Sequence, residues 1–234
     1  MIQTVLFDLD GTLLPMDNKE FTKAYFTLLT KKLALHGYEP EKLISVIWKG
    51  TAAMVKNDST KSNESAFWQC FAAEYGQAAL QDKPLFDEFY QNEFQKAKSV
   101  CGFTPKAAEA VALAKQKGWV VALATNPIFP AVATESRIRW AGLNPEDFAL
   151  YTTYENIGSC KPNLHYYRAI LHRLNADPAQ TLMVGNDVGE DMVAAKLGMD
   201  TFLLTDYMIN QQGDDISALP QGNFDALLSY LKAL

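Results

Sequence analysis

Five short apolar runs, each breaking into a polar turn, constrain this 234-residue chain more than any other feature. They occupy residues 2–9, 119–124, 148–152, 181–184 and 201–204. Each has strand length and a partly β-branched composition, as expected of strands buried on both faces. Helical patterns separate the later runs. Thr104 caps one, with Pro105 at its first position and Gly118 as its stop. Residues 130–141 form the next, ended by Gly142. Asn163 opens a third, with Leu164, Tyr167, Leu171 and Leu174 on one stripe. Residues 188–197 form a fourth, ended by Gly198, and residues 223–231 a last amphipathic helix after a polar loop at 210–215. Strands alternating with helices of this length predict an α/β fold: a doubly wound parallel sheet covered on both faces.

Residues 15–103 break that rhythm. They hold helical patterns rich in aromatics and no strand: Phe21, Leu28, Leu29 and Leu33; Ile44, Ile47 and Trp48; Phe67, Cys70 and Phe71; Phe86, Phe89, Tyr90 and Phe94. The reading is a helical cap domain at 15–103, able to hold a small core of its own. It sits on an α/β core domain at 1–14 and 104–234, through two connections.

The first strand ends in Asp8-Leu9-Asp10-Gly11-Thr12. Two carboxylates at the end of a buried strand are costly unless their charge is used, and ligands of open parallel sheets gather at the carboxyl ends of strands. One carboxylate can attack phosphorus while its neighbour shuttles a proton. A divalent cation would offset their repulsion and that of a phosphate. Thr125 follows the second strand; its hydroxyl and the amides after it, from Asn126 on, could hold a phosphoryl oxygen, aided by the helix beyond. Lys161, held beside Pro162 and the cap Asn163, could neutralise a carboxylate and a transferring phosphoryl group. Asp187 suits a hard cation, and Asp191, one helical turn on, could face the same site and orient Lys161.

These segments, in this order, resemble the haloacid dehalogenase-like (HAD) hydrolase superfamily. Asp8-Leu9-Asp10-Gly11-Thr12 matches its first motif, Thr125 the second, Lys161 the third, and Asp187 with Asp191 the fourth. The match spans residues 2–205. The resemblance implies a Rossmann-like core and a Mg2+-dependent phosphatase acting on a small phosphorylated metabolite. Asp8 would be the nucleophile that becomes an aspartyl-phosphate. Asp10 would protonate the leaving alkoxide and then deprotonate the attacking water. Mg2+ would be held by the Asp8 carboxylate, the Asp10 carbonyl and the Asp187 carboxylate, and Thr125 and Lys161 would bind the phosphoryl group. The cap, lying between the first and second motifs, would be of the helical type that closes over the site and selects the substrate. One departure is that the common fourth motif begins Gly-Asp, whereas here Asn186 intervenes. Asn186 would then be an outer or phosphate-side group, and Glu190 a possible substitute for Asp191.

Three alternatives stand beside this reading. A haloacid dehalogenase of the same superfamily usually lacks the acid at the position of Asp10. A phosphomutase more often has a residue other than Thr at position 12. A non-catalytic binding protein could keep the fold, but every catalytic position is filled.

The net charge is −6, without a basic run, which argues against nucleic-acid and anionic-membrane partners. No apolar stretch approaches the roughly 20 residues of a membrane span, and the N-terminus lacks the basic flank of a signal peptide. Three widely spaced cysteines suggest reduced thiols and a cytoplasmic protein. The oligomeric state is not legible. Cys160, His36, His165 and His172 read as structural or surface residues, and Arg137 and Arg139 as surface ion-pairing groups. Asp17, Trp48 and Lys49 are the cap residues expected to be worth testing for substrate contact.

Overall fold

The computed structural model describes residues 1–234. Strands β1 (Thr4–Phe7), β2 (Val120–Leu123), β3 (Leu150–Tyr151), β4 (Thr181–Gly185), β5 (Asp200–Leu204) and β6 (Gln221–Gly222) form one sheet in the order β3-β2-β1-β4-β5-β6. Every pairing is parallel. Alternation along the strands explains why two helical layers are needed. Val5 and Phe7 point to one face, with Val121, Leu123, Leu182 and Val184, under α5 (Pro105–Gln116) and α8 (Phe224–Ala233). Leu6, Ala122 and Met183 point to the other, where Tyr166, Tyr167 and Ile170 of α7 (Leu164–Leu174) cover them. Each fully buried Val, Leu, Ile, Phe or Met among them contributes about 1.5–3 kcal/mol.

Between β1 and β2 lie four helices: α1 (Asn18–Ala34), α2 (Pro40–Val55), α3 (Asn63–Tyr75) and α4 (Lys83–Gln91), with 3-10 segments at Gln77–Asp82 and Glu93–Val100. The two connections to the sheet run side by side. Met16 and Cys101 form an antiparallel bridge, and the Gly102 amide donates to the Pro15 carbonyl at 2.7 Å. The aromatic interior of this helical group does not stop at its base. Phe94 packs on Trp140 of α6 (Ala131–Trp140), and Tyr25 meets Phe129 edge-on at 5.4 Å, so its apolar contacts run on into one face of the sheet.

Asn63 adds a polar latch. Its side-chain amide, fully buried, donates to the Pro127 carbonyl at 3.0 Å, while its backbone amide donates to Ile157 at 2.9 Å.

Two local expectations differ from what is observed. Residues 188–197 do not form an α-helix; a turn after β4 leads into a 3-10 segment, Met192–Leu197. The two-residue strand β6 has no apolar alternation to announce it. It forms because the Leu203 amide and the Pro220 carbonyl meet at 2.9 Å beside β5. No helix is long and apolar enough to cross a membrane.

Candidate active site

The strand order reverses at β1, which is flanked by β2 on one side and β4 on the other. A crevice at the carboxyl ends is the usual consequence of such a switch point. The Asp8 amide donates to Val184 at 2.9 Å and the Ala124 amide to Phe7 at 2.7 Å. Asp8 therefore leaves the sheet between Thr125 and the segment that follows Gly185.

Gly11 turns the chain immediately after the two carboxylates. It sits at φ +80°, where a side chain is strained, and a Cβ there would come within 2.4 Å of the Asn186 Nδ2. The turn brings the Thr12 hydroxyl to 3.1 Å from both Asp8 Oδ2 and Asn186 Oδ1. Asn186 is buried and tied through Nδ2 to the Tyr207 carbonyl at 2.6 Å, so it braces the Gly11 turn.

Lys161 is 2% exposed and stands between two carboxylates, 2.8 Å from Asp8 Oδ1 and 2.6 Å from Asp191 Oδ1. Burial alone would push its pKa down. The Asp191 and Asp8 charges outweigh that and raise it well above the usual lysine value, so it is held as a cation. Asp191 accepts the Asp187 amide at 3.0 Å through its other oxygen, so the expected link from Asp191 to Lys161 is a direct contact. Gly185 makes room for it: a Cβ at Gly185 would lie 2.1 Å from Asp191 Oδ2.

Asp187 Oδ1 accepts the Gly189 and Glu190 amides at 2.8 and 3.0 Å. Glu190 does not stand in for Asp191. It receives Asn126 Nδ2 at 3.0 Å, and burial pushes its pKa up to about 7. The Thr125 carbonyl accepts the Thr152 hydroxyl at 2.6 Å and the Tyr166 hydroxyl at 2.9 Å, which leaves its own hydroxyl at the cavity wall. The α6 N-terminus does not serve this wall. Helix α6 starts six residues beyond Thr125, and its first amide is taken by the Glu155 carboxylate at 2.9 and 3.1 Å.

Asp10 has a partner the sequence reading missed. Arg137, expected at the surface, is fully buried on α6 and forms an ion pair through Nη1 with Asp10 Oδ2. Its guanidinium also lies 4.5 Å from the Phe129 ring centroid, and Nε donates to the Ala133 carbonyl at 3.3 Å. The signal was positional: Arg137 falls four residues after the buried Ala133 and three before the buried Trp140, on the inward stripe of α6. The remaining Asp10 oxygen, Oδ1, is buried without a protein partner. Burial raises the Asp10 pKa, opposed by Arg137 and reinforced by Asp8.

Asp8, Asp10, Thr125, Asn126, Lys161, Asn186, Asp187 and Asp191 all line one cavity of about 290 Å3. Of the cap residues singled out, Trp48 lines it too. Asp17 instead caps α1, accepting the Lys19 and Glu20 amides, and Lys49 pairs with Glu74 at 2.7 Å on the surface. Cys160 is buried, receives Asn63 Nδ2 at 3.3 Å, and has its thiol pushed up to about 12, which disfavours the thiolate. His36, His165 and His172 are exposed.

A hard dication fits the donors present. No three Asp, Glu, His or Cys side chains are close enough to hold a metal by themselves. The Asp8 carboxylate, the Asp10 carbonyl, which no hydrogen bond in the protein occupies, and the Asp187 carboxylate share the cavity floor. Magnesium is typically held in this way, by one or two carboxylates with water and phosphate completing the octahedron.

Comparison with known proteins agrees with the topology. Among solved structures, the chain is similar to a 2-haloacid dehalogenase from Pseudomonas syringae pv. Tomato, at 23% identity over 100% of this chain and 99% of that one, TM-score 0.64. It is also similar to a HAD phosphatase from Thermococcus onnurineus, at 17% identity over 98% of each chain, TM-score 0.58. A third is YfnB from Bacillus subtilis, described as a HAD hydrolase and bound to magnesium, at 19% identity over 99% of each chain, TM-score 0.59. At these identities the likeness is one of fold. No curated protein matches the chain. A family model for haloacid dehalogenase-like hydrolases matches residues 2–198, and the chain belongs to that family.

Proposed function

We propose that the chain is a Mg2+-dependent phosphatase of small phosphate monoesters. The observation that carries this reading is the pairing at the cavity floor. Asp8 is held by Lys161 and Thr12, and beside it lies a second carboxylate, Asp10, with one oxygen unpartnered.

An Asp8 oxygen attacks phosphorus as the bond from phosphorus to the ester oxygen breaks in line. Asp10, in its protonated form, gives its proton to the departing alkoxide, so an alcohol leaves and Asp8 carries the phosphoryl group. Asp10, now ionised, takes a proton from water, whose oxygen attacks phosphorus. Inorganic phosphate departs, the Asp8 carboxylate is restored, and Asp10 ends protonated. Lys161 balances charge on Asp8 and the moving phosphoryl group, and Asp191 fixes its ammonium. The Thr125 hydroxyl is available to a phosphoryl oxygen. The Asp8 carboxylate, the Asp10 carbonyl and the Asp187 carboxylate would hold Mg2+, which would supply positive charge against the phosphoryl group.

The dehalogenase alternative is weakened by Asp10, since carbon–halogen hydrolysis has no alkoxide to protonate. The test is phosphate release from 4-nitrophenyl phosphate. Turnover is expected with Mg2+, with loss on chelation and a fall of at least about a thousandfold in Asp8→Asn. Turnover untouched by Asp8→Asn, or chloride release from 2-chloropropionate without metal, would overturn the reading.

A further inference from the structure

The same cavity carries information about what is attached to the phosphate, and this rests on the phosphatase reading. Its floor sets five carboxylates, Asp8, Asp10, Asp187, Glu190 and Asp191, against two cations, Lys161, which lines it, and Arg137, which pairs with Asp10 from behind. No other Lys, Arg or His lines it. Both cations are already engaged by floor carboxylates, Lys161 by Asp8 and Asp191 and Arg137 by Asp10, so the floor has no positive side chain to spare for a second anionic group.

Above the floor the wall is aromatic. Tyr25, Phe26, Trp48, Trp68, Phe86 and Phe129 face the cavity. Several polar groups on this wall already have protein partners. The Tyr25 and Tyr90 hydroxyls bond each other at 2.9 Å, the Tyr154 hydroxyl accepts Trp68 Nε1 at 3.4 Å, and the Thr51 hydroxyl donates to the Ile47 carbonyl at 2.9 Å. A sugar or a hydroxy acid in that space would give up water for few polar partners, chiefly Asn18, Thr22 and the spare tyrosine hydroxyl protons. An apolar ring needs none. Trp48, 51% exposed and tilted against Phe26 at 5.4 Å, offers an apolar face at the rim. At about 290 Å3 the cavity lies at the lower end of ligand pockets.

We infer that the substrate's leaving group is uncharged and apolar, preferably a single aromatic unit, and that esters bearing a second phosphate or a carboxylate are poor substrates. Three alkyl monoesters with leaving groups of similar basicity test this with Mg2+ and the intact enzyme: 2-phenylethyl phosphate, glycerol 1-phosphate and 2-phosphoglycolate. Burying a phenyl ring predicts a kcat/KM for the first at least about 30-fold above each of the others. Equal or higher kcat/KM for glycerol 1-phosphate or 2-phosphoglycolate overturns the inference and leaves the phosphatase reading intact. Turnover of none of the three and none of 4-nitrophenyl phosphate overturns both. In Trp48→Ala, KM for 2-phenylethyl phosphate is expected to rise several-fold with little change in kcat. An unchanged KM counts against the rim contact and the inference.

Discussion

At the scale of single residues, the floor of the cavity is a problem in charge balance solved by two cations. Lys161 answers Asp8 and Asp191, and Arg137 answers Asp10. Their consequences differ. Lys161 stands beside the carboxylate proposed to attack, whereas Arg137 sets how readily Asp10 holds its proton. Burial and the Asp8 charge raise the Asp10 pKa while Arg137 lowers it. In the proposed mechanism Asp10 must be protonated for the first step. The kcat/KM for an alkyl ester should therefore fall as pH rises through its pKa. Replacing Arg137 with Met removes the lowering charge, so the basic limb of the profile should move to higher pH; a limb that stays in place would show that Arg137 does not tune Asp10. That Asp8, Asp10, Lys161 and Asp191 lie together was expected from carboxylates at strand ends and from the order of segments that resembles the HAD superfamily; Lys161 taken alone reads equally well as a surface residue. Arg137 was misread because a charged residue in a short helix defaults to solvent, and the apolar stripe around it is short.

At the scale of elements, what positions the site is the turns at the strand ends more than the helices. Helix α6 offers its first amide to Glu155, and the segment after β4 is a turn and a 3-10 run. The reason is local. Asp187 accepts the Gly189 and Glu190 amides, and Asp191 accepts the Asp187 amide, so side chains satisfy donors that an α-helix would leave open. Spacing in the sequence suggested one helical turn between Asp187 and Asp191, and the Asp191 amide does reach the Asp187 carbonyl at 2.8 Å. The single turn was thus readable, but its failure to propagate was not. Gly185 is the element's weak point. Gly185→Ala forces a methyl into Asp191 and should cost about 1–3 kcal/mol, read as a lower denaturation midpoint. It should also lower kcat through displacement of Lys161. Wild-type stability and kcat in this variant would refute the packing argument.

At the scale of the whole molecule, a parallel sheet delivers groups from four stretches of chain to one rim, and an aromatic helical layer closes over them. The sheet was legible because buried strands and their polar ends repeat. The aromatics of the insertion were legible as helix stripes. Their double use, as interior and as cavity wall, was not, because a stripe does not say which of its rings faces an opening. Asn63 and the continuity from Phe94 to Trp140 hold that wall against the rim. The account turns on one covalent event, transfer of a phosphoryl group to Asp8. Acid quenching during turnover of a phosphate ester with Mg2+, followed by mass spectrometry of the peptides, measures it directly. One phosphoryl adduct on Asp8, absent from Asp8→Asn, is the result expected. Phosphate release at full rate with no adduct on Asp8 at any time point, or with the adduct on another residue, would contradict it.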